Sequence, residues 1–359
     1  MAHLNDLNER YFRVHQAKED AFWSSKMGLP DGSPERLERT EVEWKNFISN
    51  VDELKHVRAE LDRPGLNQDD RLGLEGWKLF FETNVVESAE AKKLQAELTE
   101  RETRLQKARE DMSLGYDDPA TGGFKEASMN ELSLLVSTSK DEATRKAAWL
   151  GMRSVEPVVL QNGFLEVVRE RNRLARLLGY ADYYEYKVQT NERFSKKQLF
   201  QVLDELLRDT EKACAASMAD LESKKGPGAT KPWNLNFNTA GDLTERLDPY
   251  YPFAESLGRW GQSFSALGIR YRGASLVLDL LDRKGKYANG FMHGPEPGYL
   301  EAGKWRPARI QFTANAVLGR VGAGHTGLTT FFHEGGHAAH YSNITMPAPC
   351  FSQEFAPSS

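Results

Sequence analysis

The sequence predicts a mostly α-helical fold with a small β-sheet near its end. Three observations carry that reading. Apolar residues recur at helical spacing over much of the chain, as in Trp44, Phe47, Ile48, Val51 and Leu54. Helix-start signals repeat: Ser33-Pro34-Glu35 supplies an N-cap followed by a proline in the first turn, and Ser128 with Glu131, Ser139 with Glu142 and Ser195 with Gln198 form capping-box patterns. Only between Ile269 and Val317 do short apolar runs, Ser275-Leu276-Val277-Leu278 and Arg309-Ile310-Gln311-Phe312, alternate with glycines and prolines as strands do.

In chain order, the helix that carries Trp44 to Leu54 is expected to stop at Pro64-Gly65. From Thr83 to Asp111 a long helix is expected, rich in charged residues, with Leu94, Leu98 and Leu105 as a sparse apolar seam and the rest of its surface solvated. The turn-rich stretch from Gly115 to Ser128, with Asp117-Asp118-Pro119 and Thr121-Gly122-Gly123, reads as a linker. It places a helical N-terminal domain at residues 1–120 and a second helical domain, which carries the small sheet, at 121–359. The helix after Ser195 presents Leu199, Val202, Leu203, Leu206 and Leu207 at helical spacing and ends at Lys224-Lys225-Gly226-Pro227. No fixed-period repeat is evident.

Composition narrows the class. A length of 359 residues, 40% hydrophobic and 28% charged, gives a globular chain with room for a sizeable core. No apolar run approaches the ~18 residues of a spanning helix, so no membrane partner is expected. Net charge is −5 with both signs interspersed, which argues against nucleic acid as a partner. Two cysteines, Cys214 and Cys350, make no disulfide framework, and no signal-peptide core follows Met1; a cytoplasmic location is expected.

The chemistry is concentrated in His333-Glu334-Gly335-Gly336-His337, an HExxH pattern preceded by the apolar Leu328-Thr329-Thr330-Phe331-Phe332. On a helix, residues i and i+4 are offset by roughly 40° around the axis and about 6 Å along it, so both imidazoles can converge on one zinc ion. Glu334, one residue on, is placed to act on a water activated by that ion, taking its proton and returning it to the leaving amine. By chance the pattern should occur in roughly one to two chains per hundred of this composition, so its context has to decide.

A third ligand is the first test of context. Glu354 is the sole acidic residue after His337, and Pro347 and Pro349 end the first helix and let the chain double back. His340 shares the histidine face but lies roughly 10 Å along the helix from His333, too far for one ion with ~2 Å bonds. It is expected to serve packing or outer contacts, and Cys350 to be a small buried hydrophobe. A metzincin site would need glycine at position 340 and histidine at 343, where this chain has His340 and Asn343. Gly335 and Gly336 each oppose helix propensity by about 1 kcal/mol, through either close packing or room for a substrate.

These residues resemble the M3 metallopeptidases, the oligoendopeptidase F-like and thimet-like oligopeptidases. The resemblance rests on Phe332-His333-Glu334-Gly335-Gly336-His337-Ala338-Ala339-His340, Gln353-Glu354-Phe355-Ala356-Pro357-Ser358, Asp282-Arg283-Lys284-Gly285-Lys286-Tyr287 and Lys231-Pro232-Trp233-Asn234, and covers about Asn130 to Ser359. It implies a helical zincin-like catalytic domain at 121–359, with His333, His337 and Glu354 binding one Zn²⁺ and Glu334 as general base and acid. It further implies that the stretch from Gln311 to Val317 pairs with the substrate backbone as an added strand. Gly335 stands where the family usually has a bulkier residue. Family members run on the order of 200 residues past the third ligand, and this chain ends five residues after Glu354, so a C-terminally incomplete catalytic domain is expected. The family's oxyanion donors are therefore not carried over; His293, His325 and Tyr341 are the polar candidates here, each expected to be structural.

The function expected is a zinc-dependent endopeptidase, an oligopeptidase, that hydrolyses short unstructured peptides. Its alternative is a catalytically incomplete zinc- or peptide-binding helical module that needs a separate C-terminal segment. An oligomer or a complementing C-terminal chain is the expected protein partner, and a purely structural helical protein would bind no zinc.

Overall fold

The computed structural model describes residues 2–301, 304–346 and 348–352. Helices α1 (Ala2–Lys26), α2 (Pro34–Ile48), α3 (Val51–Leu61), α4 (Gln68–Asn84) and α5 (Ala89–Glu110) lead to a hairpin of β1 (Gly115–Asp117) and β2 (Phe124–Glu126). Then come α6 (Met129–Thr138), α7 (Glu142–Arg153), α8 (Val155–Gln161), α9 (Phe164–Leu177), α10 (Tyr183–Lys187), α11 (Lys196–Lys225), α12 (Asp242–Leu247) and α13 (Ser256–Ala266). Strands β3 (Ser275–Leu281), β4 (Phe291–Glu296), β5 (Tyr299–Glu301), β6 (Lys304–Arg306) and β7 (Arg309–Ala316) precede α14 (Ala323–Asn343) and a 3-10 turn, Pro349–Ser352. The fold is mostly α, as the periodicity predicts.

Several boundaries differ from the sequence reading, for local reasons. The helix expected through Trp44 and Leu54 is two, because the Asn50 side chain caps a fresh start by accepting from the N–H groups of Asp52 and Glu53. The helix expected from Thr83 to Asp111 also breaks, at 85–88, where Ser88 caps α5. Asp141, not Ser139, caps α7, since its carboxylate reaches the N–H groups of Ala143 and Thr144. Capping boxes do form at Ser128 and Ser195, and Ser33 accepts from the Arg36 N–H.

Two compact units account for the described residues, and the chain passes between them more than once. The first comprises residues within 1–87, 253–316 and 326–352; the second comprises 88–252 and 317–325. This division follows other lines than the single cut at 120/121. The stretch from Gly115 to Ser128, read as a linker, holds the β1–β2 hairpin inside the second unit, whose hydrogen bonds occupy the backbone that a linker would leave free.

In the first unit, α1 to α4 bury an aromatic core in which Leu7, Tyr11, Val57, Trp77 and Phe81 have no exposed surface. The indole N–H of Trp77 donates to Asn8 Oδ1 at 2.8 Å, which satisfies its one polar atom. Cys350 and Ala348, beyond the last helix, join this core. Burial pushes the Cys350 thiol up, so it behaves as a small hydrophobe. The sheet has the order β3-β7-β4, and the two runs singled out from sequence are direct neighbours, Ser275 beside Arg309 and Leu278 beside Phe312.

The second unit is held by polar as well as apolar contacts. Arg145, buried, donates to Asn234 Oδ1 and to the Ser139 and Lys140 carbonyls, and lies over the Phe237 ring. That assigns the Trp-Asn segment a structural role here. In α11 none of the described residues is buried, and its apolar residues Val202, Leu206 and Leu207 are exposed.

Candidate metal centre

Helix α14 has two faces with different chemistry. Phe331, Glu334, Gly335, Ala338 and Tyr341 are buried, while His333, Gly336 and His340 are exposed and His337 is half-buried. The buried set follows the helical repeat against the sheet and α13. Phe331 packs on Phe312 of β7 and on Trp260 of α13, with ring centroids 5.3 and 5.6 Å apart. The core grip thus turns the histidine stripe outward.

On that stripe the i, i+4 spacing does what helix geometry predicts. The two Nε2 atoms of His333 and His337 lie 3.2 Å apart, with the rings near perpendicular at 80°. Two imidazole nitrogens bound to one tetrahedral zinc at ~2.0–2.1 Å stand about 3.3 Å apart. The pair therefore fits a shared ion without rearrangement. Glu334, next to His333, is only 6% exposed. The third expected ligand, Glu354, lies outside the described residues.

Gly335 and Gly336 have separate explanations. A Cβ on Gly335 would collide with the indole of Trp260, and the Gly335 carbonyl accepts a hydrogen bond from the Tyr271 hydroxyl at 2.9 Å. Burial pushes that hydroxyl up to about 12, so it remains a donor at neutral pH. Gly335 is thus a packing glycine. Gly336 meets nothing within 4 Å and leaves the exposed face open between the histidines. Trp260 and Tyr271, which hold the metal helix at this point, gave no signal in the sequence because each is an ordinary aromatic far from the motif.

Residues 282–287, part of the family resemblance, lock the sheet under the site. The Lys286 ammonium is buried and donates to Asp279 Oδ1 and to the carbonyls of Asp279, Leu281 and Ala314. Arg283 forms a two-pronged pair with Asp279, whose carboxyl is held below its ordinary range: burial opposes this, and the bonds from Arg283 and Lys286 overcome it.

The expectation that Gln311 to Val317 pairs with a substrate backbone is overturned over its first part. Gln311, Phe312 and Thr313 are paired on both edges, to Val277, Leu278 and Asp279 on one side and to His293, Met292 and Phe291 on the other. A strand already flanked on both sides has no free ladder to offer. At Ala314 the carbonyl accepts from Lys286.

The three oxyanion candidates all have structural partners. His293 is buried against Glu19, and the Tyr341 hydroxyl donates to the Gly294 carbonyl at 2.7 Å. His325 belongs to the second unit and meets the Tyr251 ring edge-on.

A helical fold with a small sheet beneath a helix that presents two converging histidines and a glutamate defines a metallopeptidase class. The description of peptidase family M3 matches residues 135–345, more than half of the chain and including the whole HEGGH segment. The chain belongs to peptidase family M3. No match was found among curated proteins. Among solved structures, the M32 carboxypeptidase from Deinococcus radiodurans R1 is similar at a TM-score of 0.56 and 14% identity, covering 97% of this chain and 56% of that one. A protein assigned as oligoendopeptidase F is similar at a TM-score of 0.60 and 13% identity, covering 92% of this chain and 56% of that one. At such identities the likeness is one of fold. This chain spans 56% of the length of each of these structures.

Proposed function

We propose that this chain is the zinc-binding, catalytic portion of an oligopeptidase that hydrolyses short, unstructured peptides in the cytoplasm. The observation that carries the reading is the 3.2 Å approach of His333 Nε2 to His337 Nε2, with Glu334 one residue away. The donor set of two imidazoles, with Glu354 proposed as third ligand, suits zinc. Bound zinc supplies the Lewis acidity that makes water a nucleophile near neutral pH.

The remaining steps belong to the chain. His333 and His337 would hold the ion through their Nε2 atoms, in the neutral form that metal binding requires. The Glu334 carboxylate takes the proton of the attacking water and delivers it to the departing amine, so one group serves as base and then as acid. Trp260 and Tyr271 keep the helix backbone in place at Gly335. Short peptides are the proposed substrates; neither nucleic acid nor membrane is a proposed partner. Among the described residues no helix is long and apolar enough to cross a membrane.

The test uses a quenched fluorescent peptide with zinc-loaded protein and the Glu334→Gln variant. Metal-dependent turnover lost in the variant supports the reading. Equal turnover by both proteins, or turnover indifferent to chelator, sinks it.

A second reading is favoured by a specific observation: a helical zinc- or peptide-binding module completed by a separate segment. The exposed apolar residues of α11, Val202, Leu206 and Leu207, support it. One zinc per chain with no turnover, and turnover restored by adding a helical C-terminal fragment, is its signature.

A further inference from the structure

We propose a second cation site, separate from the HEGGH helix, in which His3, Glu53 and His56 bind one divalent ion of the zinc class. His3 stands in the first turn of α1; Glu53 and His56 are three residues apart on α3 and so share a face. Glu-x-x-His is a spacing from which helix bundles direct ligands at metals. One ligand atom from each of the three residues lies within 4.8 Å of the others. In a closed tetrahedral site such atoms stand about 3.3 Å apart, so closure needs movements of about 1 Å. The His56 side chain, 55% exposed, is free to supply them.

Unsatisfied atoms point to the same place. His3 Nε2 and Glu53 Oε2 are buried without a hydrogen bond, although they lie 3.4 Å from each other. Buried polar atoms are nearly always paired, and an ion between these two would satisfy both. The surroundings help. Arg10 Nη1 holds the other carboxylate oxygen, Oε1, at 2.7 Å, which leaves Oε2 turned toward His3, as outer partners of a metal ligand do. Glu60 Oε1 lies 3.8 Å from His56 Nε2, and its carboxylate and that of Asp6 offset the guanidiniums of Arg10 and Arg63.

The rings of His3 and His56 stack, with centroids 3.8 Å apart and planes at 17°. Burial, followed by the charge of His56, holds His3 below its ordinary range, and a neutral ring is the form that binds metal. Stacked rings hold their in-plane lone pairs in two separate, nearly parallel planes, so the exposed His56 ring turns on binding. The ion would then tie the first turn of α1 to α3.

The experiment uses the full chain with His333→Ala and His337→Ala, which removes the first metal centre. Zinc is titrated calorimetrically and Co²⁺ by visible absorption. About one equivalent is expected to remain bound, with Tm raised by about 2–4 °C at saturating zinc. Adding Glu53→Gln or His56→Ala to that background is expected to weaken binding at least ~10-fold while helix content stays unchanged. Absence of binding at tens of micromolar zinc overturns the proposal. So does binding that neither substitution weakens, which would mark an adventitious ion only. Because the first centre is absent throughout, failure here leaves the peptidase reading untouched.

Discussion

Besides the His3, Glu53 and His56 group, two constellations of two histidines and a glutamate lie in the first unit with opposite fates. His333, Glu334 and His337 sit within five residues on one helix; the two histidines converge on its exposed stripe, while Glu334 is buried beside them. His15, Glu19 and His293 come from α1 and β4, and all three are buried. His293 Nε2 lies 2.9 Å from Glu19 Oε2 and 3.0 Å from the Glu19 carbonyl, while His15 Nδ1 faces the Pro295 carbonyl at 3.3 Å. One set brings its two Nε2 atoms within 3.2 Å of each other on an exposed face; the other directs its nitrogens at partners in the fold. Residue type alone therefore does not separate a metal centre from a structural clasp; exposure and prior pairing do.

The largest effect that separates them is catalytic. Glu334→Gln is expected to lower kcat/KM for a fluorogenic peptide by about 10²–10⁴ while bound zinc is unchanged, whereas His337→Ala is expected to lose both. Zinc content and rate measured on the same samples decide it. Retained rate in Glu334→Gln would erase the contrast.

Next comes acid sensitivity, which belongs to the buried set. Burial lowers His15 to about 4, against an ordinary value of 6.5, so between those pH values the unfolded chain binds the extra proton. Stability is therefore present in full above pH ~6.5 and lost as pH falls toward 4, by up to about 3 kcal/mol. Glu19 acts in the same direction. Burial opposes its ionisation, but the His293 hydrogen bond and the neighbouring Lys18 and histidines hold its carboxyl well below the carboxylate range, so its contribution is lost as pH falls below ~4.5. Urea unfolding at pH 7.5 and 5 should show the loss, and His15→Gln should flatten its slope through that window.

The two glycines between His333 and His337 give smaller effects of opposite sign. Gly335→Val should destabilise by about 1–3 kcal/mol, since Trp260 has to move. Gly336→Ala, into open space on a helix, should stabilise by up to about 1 kcal/mol. Thermal melts of both variants check the pair; a shared sign would show that the helix does not present one packed and one open face.

Much of the first constellation was legible because its geometry is local. His333 and His337 converge through helix pitch, and the strands Ser275–Leu281 and Arg309–Ala316 announced themselves by their composition. The second was not legible: 278 residues separate His15 from His293, and no periodicity records that they meet. The same holds for α11, where the apolar stripe read from Leu199 to Leu207 is real but Val202, Leu203, Leu206 and Leu207 are exposed. Amphipathic spacing states that a face is apolar; it does not state that a partner covers it. Gln311 to Thr313 depart from the expected substrate-pairing edge for a related reason, since strand character is local and edge position is a property of the whole sheet.

By itself, then, the sequence determined helix content, the caps at Ser33, Ser128 and Ser195, and the HEGGH pair, because each depends on atoms within a few residues of one another. Tertiary structure alone decided which face of α14 is buried, why Gly335 has to be glycine, which strand is central, and which histidines are already spoken for. Those outcomes depend on what the far parts of the chain bring against a given side chain, and packing and desolvation act through space rather than along the sequence.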